Sequence, residues 1–203
     1  MKKLYVNVDR CDVTGGAQAL TPIVTDMDRR LQELAGETET MKGELLRFLS
    51  ANTSEQYQKA AVAVANLSEY LFSASEQLND MQHQIVRYQD AMARFNDRSD
   101  SFGAPNAHNV RKVQVDVATQ RMQFTYEDMI HVQQSVQKYV LDARDSVKKL
   151  QANKESIGSI WRDPQYRDFS DFIDEIASKT GTAIATLEAY AAHLAQRIKE
   201  FKN

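Results

Sequence analysis

The chain has 203 residues, of which 42% are hydrophobic and 26% are charged, with a formal net charge of −3. The chain is therefore long enough to bury a sizeable core, in one domain or two small ones. Its charges of both signs are interspersed without a basic stripe, which argues against a nucleic-acid binder. No apolar run reaches the roughly 18–20 residues of a membrane span, no apolar segment follows the opening lysines as a secretion signal requires, and a single cysteine excludes an intramolecular disulfide.

Proline and glycine are scarce, with three and seven residues respectively. Proline lacks a backbone N–H and its ring clashes with the preceding turn, so it is tolerated in a first helical turn and disfavoured inside a helix. Pro22, Pro105 and Pro164 are expected to lie where a helix begins or in a linker, and they leave three long stretches rich in residues that favour helix. The composition predicts an all-α fold.

Two long helices are predicted in the first half, because apolar residues recur there every three or four positions. The first seam comprises Leu20, Val24, Met27, Leu31, Leu34, Thr38, Met41, Leu45 and Phe48. The second comprises Tyr57, Ala60, Val64, Leu67, Leu71, Ala74, Leu78, Met81, Ile85, Tyr88, Met92 and Phe95. Thr53, with Gln56 three residues later, predicts a capping box at the start of the second helix. Only residues 49–52 separate the two helices, so we expect an antiparallel hairpin.

The second half repeats this layout after a predicted loop at residues 96–109. The third seam comprises Met122, Tyr126, Met129, Gln133, Val136, Val140, Ala143, Val147, Leu150, Lys154, Ile157 and Trp161. The fourth comprises Phe169, Phe172, Ile176, Thr180, Leu187, Ala191, Leu194, Ile198 and Phe201. Asp163 and Pro164 predict the start of the fourth helix, as its N-cap and first residue. The heptad slips by one residue near Gly181, where we expect a local irregularity or accommodation.

The two halves have the pattern of one helical hairpin written twice. A constant offset pairs Leu20 with Met129, Met27 with Val136, Leu31 with Val140 and Met41 with Leu150. A three-residue insertion then pairs Leu49 with Trp161 and Tyr57 with Phe169. We therefore predict a first hairpin at residues 1–97, a linker at 98–109 and a second hairpin at 110–203.

Several apolar residues lie outside the seams and need another surface to cover them. They are Ile23, Leu46, Phe72, Val132, Tyr139, Ile173 and Tyr190. Packing of one hairpin on the other would cover them in an elongated four-helix bundle. Alternatively, they help to form a face for a second chain, and the first arrangement does not exclude the second.

Two short segments alternate between apolar and polar residues, at residues 3–8 and 112–117. Alternation is typical of a β-strand, but a pair of such short strands would hardly be stable alone. We favour extended segments that lead into the helices and pack on the bundle, with Asn7 and Asp116 as helix N-caps.

The pattern nearest to a metal site is Asp-x-x-His, which occurs at Asp80/His83 and at Asp128/His131. Di-metal four-helix proteins place such pairs inward, whereas the apolar seams put both histidines on the outer side of their helices. Cys11 has no supporting motif. We therefore expect no catalytic residue, no cofactor and no metal, and hence a protein that is not an enzyme.

The turn at Trp161 is the most informative local feature of the second half. This single tryptophan ends the third helix, where its ring could close the end of the hairpin by packing on Phe169. In the alternative, the ring also contributes to a groove between helices that a partner recognises. The candidate interaction residues of this turn are Trp161, Asp163, Pro164 and Phe169.

These residues resemble the WXG family of early-secreted-antigen-like helical hairpins. The match consists of residues 113–116 (Val-Gln-Val-Asp), the Trp161-Arg162-Asp163 turn and Phe169, and it covers most of residues 110–203. The first half is less similar, since residues 49–51 (Leu-Ser-Ala) replace the Trp turn. Asp163 stands where the family has glycine, and Tyr190 is followed by Leu194 where the family's export signal has an acidic residue.

Members of that family are small helical proteins without a signal peptide, exported by type VII secretion systems as dimers or as partners of larger secreted toxins. The resemblance implies a non-enzymatic module that binds another helical protein or itself. It also implies secretion without a classical signal, with a cytoplasmic stage before export. A tandem could act as an internal pseudo-dimer. The residues alone leave an intracellular coiled-coil scaffold or adaptor open.

Overall fold

The computed structural model describes residues 16–52, 54–95, 123–161 and 165–201, apart from the side chains of residues 16–18, 88–95 and 165. In these ranges the chain forms four α-helices: α1 (Gly16–Arg47), α2 (Glu55–Phe95), α3 (Tyr126–Ile160) and α4 (Gln165–Glu200). At a rise of about 1.5 Å per residue, they are about 48–62 Å long. The all-α prediction is confirmed, while the segments at 3–8 and 112–117, with Asn7 and Asp116, lie outside the described residues.

The apolar seams of the first hairpin are buried as predicted. Every seam residue of α1 is at most 4% exposed, and those of α2 from Tyr57 to Ile85 are at most 3% exposed. Burial of a leucine, isoleucine or methionine side chain contributes roughly 1.5–3 kcal/mol. The seam is therefore the main source of stability of this hairpin.

The second hairpin is buried along a less regular seam. Lys154 interrupts it without leaving a buried charge, because its amine pairs with the Asp174 carboxylate of α4 at 2.6 Å. The heptad slip is accommodated inside a continuous helix: Thr180 and Ala183 are both buried on either side of Gly181. Phe201, predicted as the last seam residue, is 62% exposed and lies just beyond the end of α4.

The starts of α2 and α3 carry capping contacts that the sequence analysis did not predict. At α2, the Ser54 hydroxyl accepts the Tyr57 N–H at 3.3 Å and is held by the Asn52 side chain; Thr53 lies outside the described residues. At α3, Thr125 and Asp128 form a capping box, in which each side chain accepts the other's backbone N–H. This box was missed because Asp128 was interpreted together with His131.

Pro22 lies inside α1, six residues after the helix begins at Gly16, and not at a helix start. The expectation from the sequence was wrong here, although proline removes one helical hydrogen bond. Leu20 and Val24, on either side of it, are 2% and 0% exposed. The burial of these two residues keeps the helix continuous past the proline. Pro105 and Pro164 lie outside the described residues.

The two hairpins pack around one shared core. Closely packed helix pairs are α1 with α2, α3 with α4, α1 with α3 and α2 with α4, so the order around the bundle is α1, α2, α4, α3. Val132, Tyr139, Ile173 and Tyr190 are at most 5% exposed and belong to this core. The prediction of a four-helix bundle built from two hairpins is confirmed.

Contacts between the hairpins show that they run in opposite directions. Thr38 bonds to Tyr139, and Asp26 bonds to Asn153, so α1 and α3 are antiparallel. The Tyr57 ring meets the Tyr190 ring at 5.4 Å. Lys179 lies over the Tyr70 ring at 4.9 Å, so α2 and α4 are antiparallel as well. The α1–α2 turn (the first tip) and the α3–α4 turn (the second tip) therefore lie at opposite ends of the bundle.

One buried polar contact joins the hairpins near the middle of the bundle. The Thr38 hydroxyl donates to the Leu34 carbonyl at 2.7 Å and lies 2.7 Å from the Tyr139 hydroxyl. Since the threonine proton is used on Leu34, Tyr139 is the donor to Thr38. Burial raises the pKa of Tyr139 to about 12, so the phenol stays protonated and keeps this bond at neutral pH.

None of the helices in the described ranges has an apolar stretch of the length and hydropathy needed to cross a membrane.

Candidate functional site

The second tip is built around the tryptophan that the sequence singled out. Trp161 is the C-cap of α3: its backbone is extended, and its N–H donates to the Ile157 carbonyl at 2.8 Å. The side chain is 3% exposed. The chain then re-enters a helix at Gln165. Asp163 and Pro164 lie outside the described residues.

Three aromatic rings close the second tip. The Trp161 ring lies 5.7 Å from Phe169 and 6.0 Å from Tyr166, and the last two rings are 6.2 Å apart. These separations fall in the favourable range for tilted and edge-to-face pairs, which contribute about 0.5–1.5 kcal/mol each beyond burial. The structure thus brings Trp161 and Phe169 together as core residues that cap the hairpin.

Tyr166 and Gly158 complete this tip, and both were missed from the sequence. The Tyr166 hydroxyl donates to the Lys154 carbonyl of α3 at 2.9 Å. Its ring lies directly over Gly158, where an added Cβ would come within 2.4 Å of the hydroxyl oxygen and 2.7 Å of Cζ. Only glycine leaves room for the tyrosine to reach across to α3.

The first tip contains the same tyrosine contact. The Tyr57 hydroxyl donates to the Leu45 carbonyl, twelve residues earlier in the chain. In the same way, the Tyr166 hydroxyl donates to the Lys154 carbonyl, also twelve residues earlier. The offset that pairs Met41 with Leu150 also pairs Leu45 with Lys154 and Tyr57 with Tyr166. Each contact therefore spans the same number of residues, and the pairing of Tyr57 with Phe169 through a three-residue insertion is wrong.

The buried residues of α2 and α4 follow this constant offset as well. It pairs Ala60 with Phe169, Leu71 with Thr180 and Ile85 with Leu194. Trp161 then corresponds to Asn52, and Leu49 is not its counterpart. Leu49 is also 39% exposed, whereas Trp161 is buried. The tyrosine repeated at the same offset was the signal that could have identified the second contact from sequence.

Different rings fill the two tips. At the first tip, Phe124 lies 5.1 Å from Phe48 and 6.3 Å from Tyr57, and Tyr190 lies 5.4 Å from Tyr57. Phe124 and Tyr190 both belong to the second half of the chain. The first tip is thus closed by the other hairpin, while the second tip is closed by Trp161 and Phe169 of its own hairpin.

The indole N–H of Trp161 is the one polar group of the ring cluster with no hydrogen-bond partner among the described residues. A buried donor without a partner costs about 1–3 kcal/mol. Among the described residues, the ring therefore contributes through its size and shape and not through a hydrogen bond.

An ionic cluster joins the hairpins on the half of α1 that is nearer the second tip. The Asp26 carboxylate accepts bonds from Asn153 of α3 at 2.8 Å, from Arg30 at 2.7 Å and from Arg29 at 2.6 Å. Burial works to raise the pKa of Asp26, but these three bonds outweigh it and hold the pKa at about 2. The carboxylate is therefore charged throughout the physiological range.

The histidine pairs do not form a ligand set. His131 is exposed and His83 is half-buried. Asp128 serves the α3 cap, and hydrogen bonds from Thr125 lower the pKa of its carboxyl group. Among the described residues, no three His, Cys, Asp or Glu side chains come together as metal ligands. Cys11 lies outside them.

Among the described residues, grooves lie between α2 and α4 and between α3 and α4. The larger, about 930 Å³, lies between α2 and α4 (the α2–α4 groove), with Val62, Ala63 and Tyr70 on one side and Ala183 on the other. The smaller, about 250 Å³, lies between α3 and α4 (the α3–α4 groove) and is lined by apolar Val147 and Ile184 and charged Arg144, Lys148 and Glu188.

Comparison of the sequence with protein-family models, with curated proteins and with solved structures finds no significant match.

Proposed function

We propose that this protein is a non-enzymatic module of type VII secretion, in which two WXG-like hairpins in tandem form an internal pseudo-dimer. It would bind another helical protein, as an exported substrate or as the partner of one. Under this proposal the protein has a cytoplasmic stage before export.

The observation that supports it most is the packing of one hairpin on the other. Tyr139 and Tyr190, which a single hairpin would expose, are each at most 5% exposed in the bundle. A chain that carries its own second hairpin has no need of another copy to cover them. This fits a tandem version of a family whose single hairpins form dimers.

The second hairpin also has a surface suited to a partner. Leu141 is 66% exposed on α3. It lies one and two turns from Arg144 and Lys148, on the same side of the helix, and both line the α3–α4 groove. We take Leu141 and the α3–α4 groove beside it as the candidate contact surface for the partner.

The first test is the oligomeric state of the purified full chain. Light scattering over a range of concentrations should give the mass of one chain, because both hairpin faces are covered internally. An obligate dimer would contradict the internal pseudo-dimer.

The second test is export. The tagged protein is produced in a bacterium with a type VII system and in the same strain without its secretion ATPase. We expect the protein in the medium of the first strain only. Leu141→Asp should reduce the exported fraction, whereas Phe201→Asp should not, since Phe201 is comparably exposed but lies beyond the end of α4, at the first tip and away from the α3–α4 groove. Retention in the cells of both strains would contradict the proposal and favour the intracellular scaffold.

A further inference from the structure

The α3–α4 groove has a glycine where the first hairpin has a large ring. Its wall on α4 includes Ala177, Gly181 and Ala185, and nothing lies within 4 Å of the place that a Cβ of residue 181 would take. The constant offset of the repeat pairs Gly181 with Phe72, which is half-buried on α2. A glycine inside a helix is destabilising, and the described contacts of the bundle do not require one here.

The groove has room for one large apolar side chain from another molecule. Its volume is about 250 Å³, and an apolar cavity of about 150 Å³ holds a benzene molecule. Val147 and Ile184 supply apolar walls beside Gly181. Leu141, at 66% exposure, extends the apolar surface further along α3. From Leu141 to Gln151 this surface is about 15 Å long, which corresponds to about three turns of a partner helix.

Ion pairs join α3 to α4 on either side of the groove, and one cation between them is left over. Arg144 pairs with Glu188 at 2.8 Å, and Lys154 pairs with Asp174 at 2.6 Å. Lys148 lies between these two pairs and lines the groove. Among the described residues it has no acidic partner, because α4 lines the groove with only small and apolar side chains between Asp174 and Glu188.

We propose that the α3–α4 groove binds an acidic amphipathic helix, which places one large apolar side chain over Gly181 and a carboxylate against Lys148. Residues three or four apart share one face of a helix, so a single helix can make both contacts. The carboxylate would complete the row of ion pairs between α3 and α4, whereas a basic helix would be repelled at this point. The inference rests on the proposed binding of a helical partner, but it does not depend on export.

The α2–α4 groove is larger and lacks this charge. Of the cations that line it, Lys59 pairs with Glu55 at 2.6 Å and Lys179 pairs with Glu175 at 3.5 Å. A helix bound there would find no unpaired cation. The α2–α4 groove is therefore the internal comparison for the proposed site.

Two fluorescent peptides test the proposal on the purified full chain. Each is a helix about 22 Å long, or about fifteen residues, held helical by a covalent link between side chains, with leucine and phenylalanine on one face. Glutamates flank this face in one peptide and lysines in the other. Non-specific attraction would favour the basic peptide, since the chain has a net charge of −3.

Fluorescence anisotropy at low salt should instead show that the acidic peptide binds at least about threefold more tightly than the basic one, as expected for an exposed charge pair. The preference should shrink as sodium chloride is added, because salt screens exposed charges.

Matched variants locate the binding, with circular dichroism to show that each one folds. Lys148→Gln should remove most of the preference for the acidic peptide. Lys149→Gln should keep it, since Lys149 is the next residue, pairs with Asp145 and lies outside the groove. Gly181→Leu should weaken the acidic peptide roughly tenfold by excluding its anchoring side chain. Gly36→Leu, at a position equally free of neighbours within 4 Å, should not.

Equal affinities for the two peptides, a preference for the basic one, or no saturable binding up to about 1 mM would overturn the proposal. So would binding that survives Gly181→Leu and is lost in Ala63→Phe, which would assign the peptide to the α2–α4 groove. The export test separates this inference from the proposed function. Peptide binding as expected by a protein that both strains retain would contradict only the secretion role, whereas export without peptide binding would contradict only the acidic helix.

Discussion

The two tips of the bundle use the same contact and different rings. In each, a tyrosine near the start of the second helix donates to a carbonyl twelve residues earlier, Tyr57 to Leu45 and Tyr166 to Lys154. The first tip is then filled by Phe124 and Tyr190 from the other half of the chain. The second is filled by its own Trp161.

This difference distinguishes the contacts that form each hairpin from those that join the two hairpins into a bundle. The tyrosine contact joins two helices of one hairpin, and in both hairpins it spans twelve residues. The aromatic rings at a tip, by coming from the same hairpin or from the other one, determine whether closing that tip requires the other hairpin. Among the described contacts, the second tip is closed from within its hairpin, whereas the first requires the second hairpin to be in place.

The largest expected effect is at the second tip. Trp161→Ala should reduce the free energy of unfolding by about 3–5 kcal/mol, since it removes a ring that is 3% exposed and leaves a cavity. Urea unfolding followed by circular dichroism measures this loss. Leu49→Ala at the first tip is the control, and at 39% exposure it should cost under about 1 kcal/mol. Similar losses for both variants would mean that Trp161 does not close the tip.

Gly158→Ala should break the Tyr166 contact by overpacking. The added methyl group would meet the phenol at 2.4 Å, and such overpacking costs about 1–3 kcal/mol, partly offset by the gain of about 1 kcal/mol in helix propensity. Gly36→Ala is the matched control: nothing lies within 4 Å of the new Cβ, and stability should rise by about 0.5–1 kcal/mol. A stabilising Gly158→Ala would contradict the close approach.

Removing each tyrosine hydroxyl in turn compares how much the two contacts contribute to stability. Tyr57→Phe should cost about 1–1.5 kcal/mol and Tyr166→Phe about 0.5–1 kcal/mol, because Tyr57 is fully buried and Tyr166 is half-buried. Thermal or urea unfolding of the two variants side by side gives the difference. A larger loss at Tyr166 would reverse the ranking of the two tips.

The smallest expected effect concerns the link between the hairpins and depends on pH. The pKa of Asp26 is about 2 in the fold, below its usual 3.8. Its contribution is therefore fully present above about pH 4 and is lost as the pH falls from about 4 to 2. Asp26→Asn should cost about 1 kcal/mol at pH 7, since water partly screens this cluster, and almost nothing near pH 2.

The control for this prediction is Asp142→Asn, whose carboxylate lies 3.7 Å from Lys138 on an exposed face. It should change stability little at either pH, because exposed pairs contribute about 0–1 kcal/mol. An Asp26→Asn loss that persists unchanged near pH 2 would mean that the charge of Asp26 is not what joins α1 to α3.

Much of the fold could be predicted because helices packed along one partner have a strict spacing. The seams of α1 and α2 were identified residue by residue, from Leu20 to Ile85. Prediction failed where local signals compete. Pro22 indicated a helix start, yet the buried residues beside it continue the helix in both directions. Asp128 suggested a ligand, yet it caps α3.

The candidate site could be predicted only in part. Trp161 and Phe169 were identified because a single tryptophan at a chain reversal is conspicuous. Gly158 and Tyr166 were missed because neither lies on an apolar seam, and the constant offset that pairs Tyr57 with Tyr166 was not carried across the turn. Whether Asp163 and Pro164 contribute lies beyond the described residues, and the partner and the secretion role stay predictions.

The sequence by itself determined that the chain forms four long helices in two hairpins, and which stripe of each helix is buried. Local spacing is sufficient for this, because a helix brings residues three and four apart onto one face. Only the tertiary structure decided the true register of the repeat, the ring that fills each tip and the opening of the α2–α4 groove. These depend on distances between residues of different helices, such as Tyr166 over Gly158 and Phe124 on Tyr57, which no pattern within one helix contains.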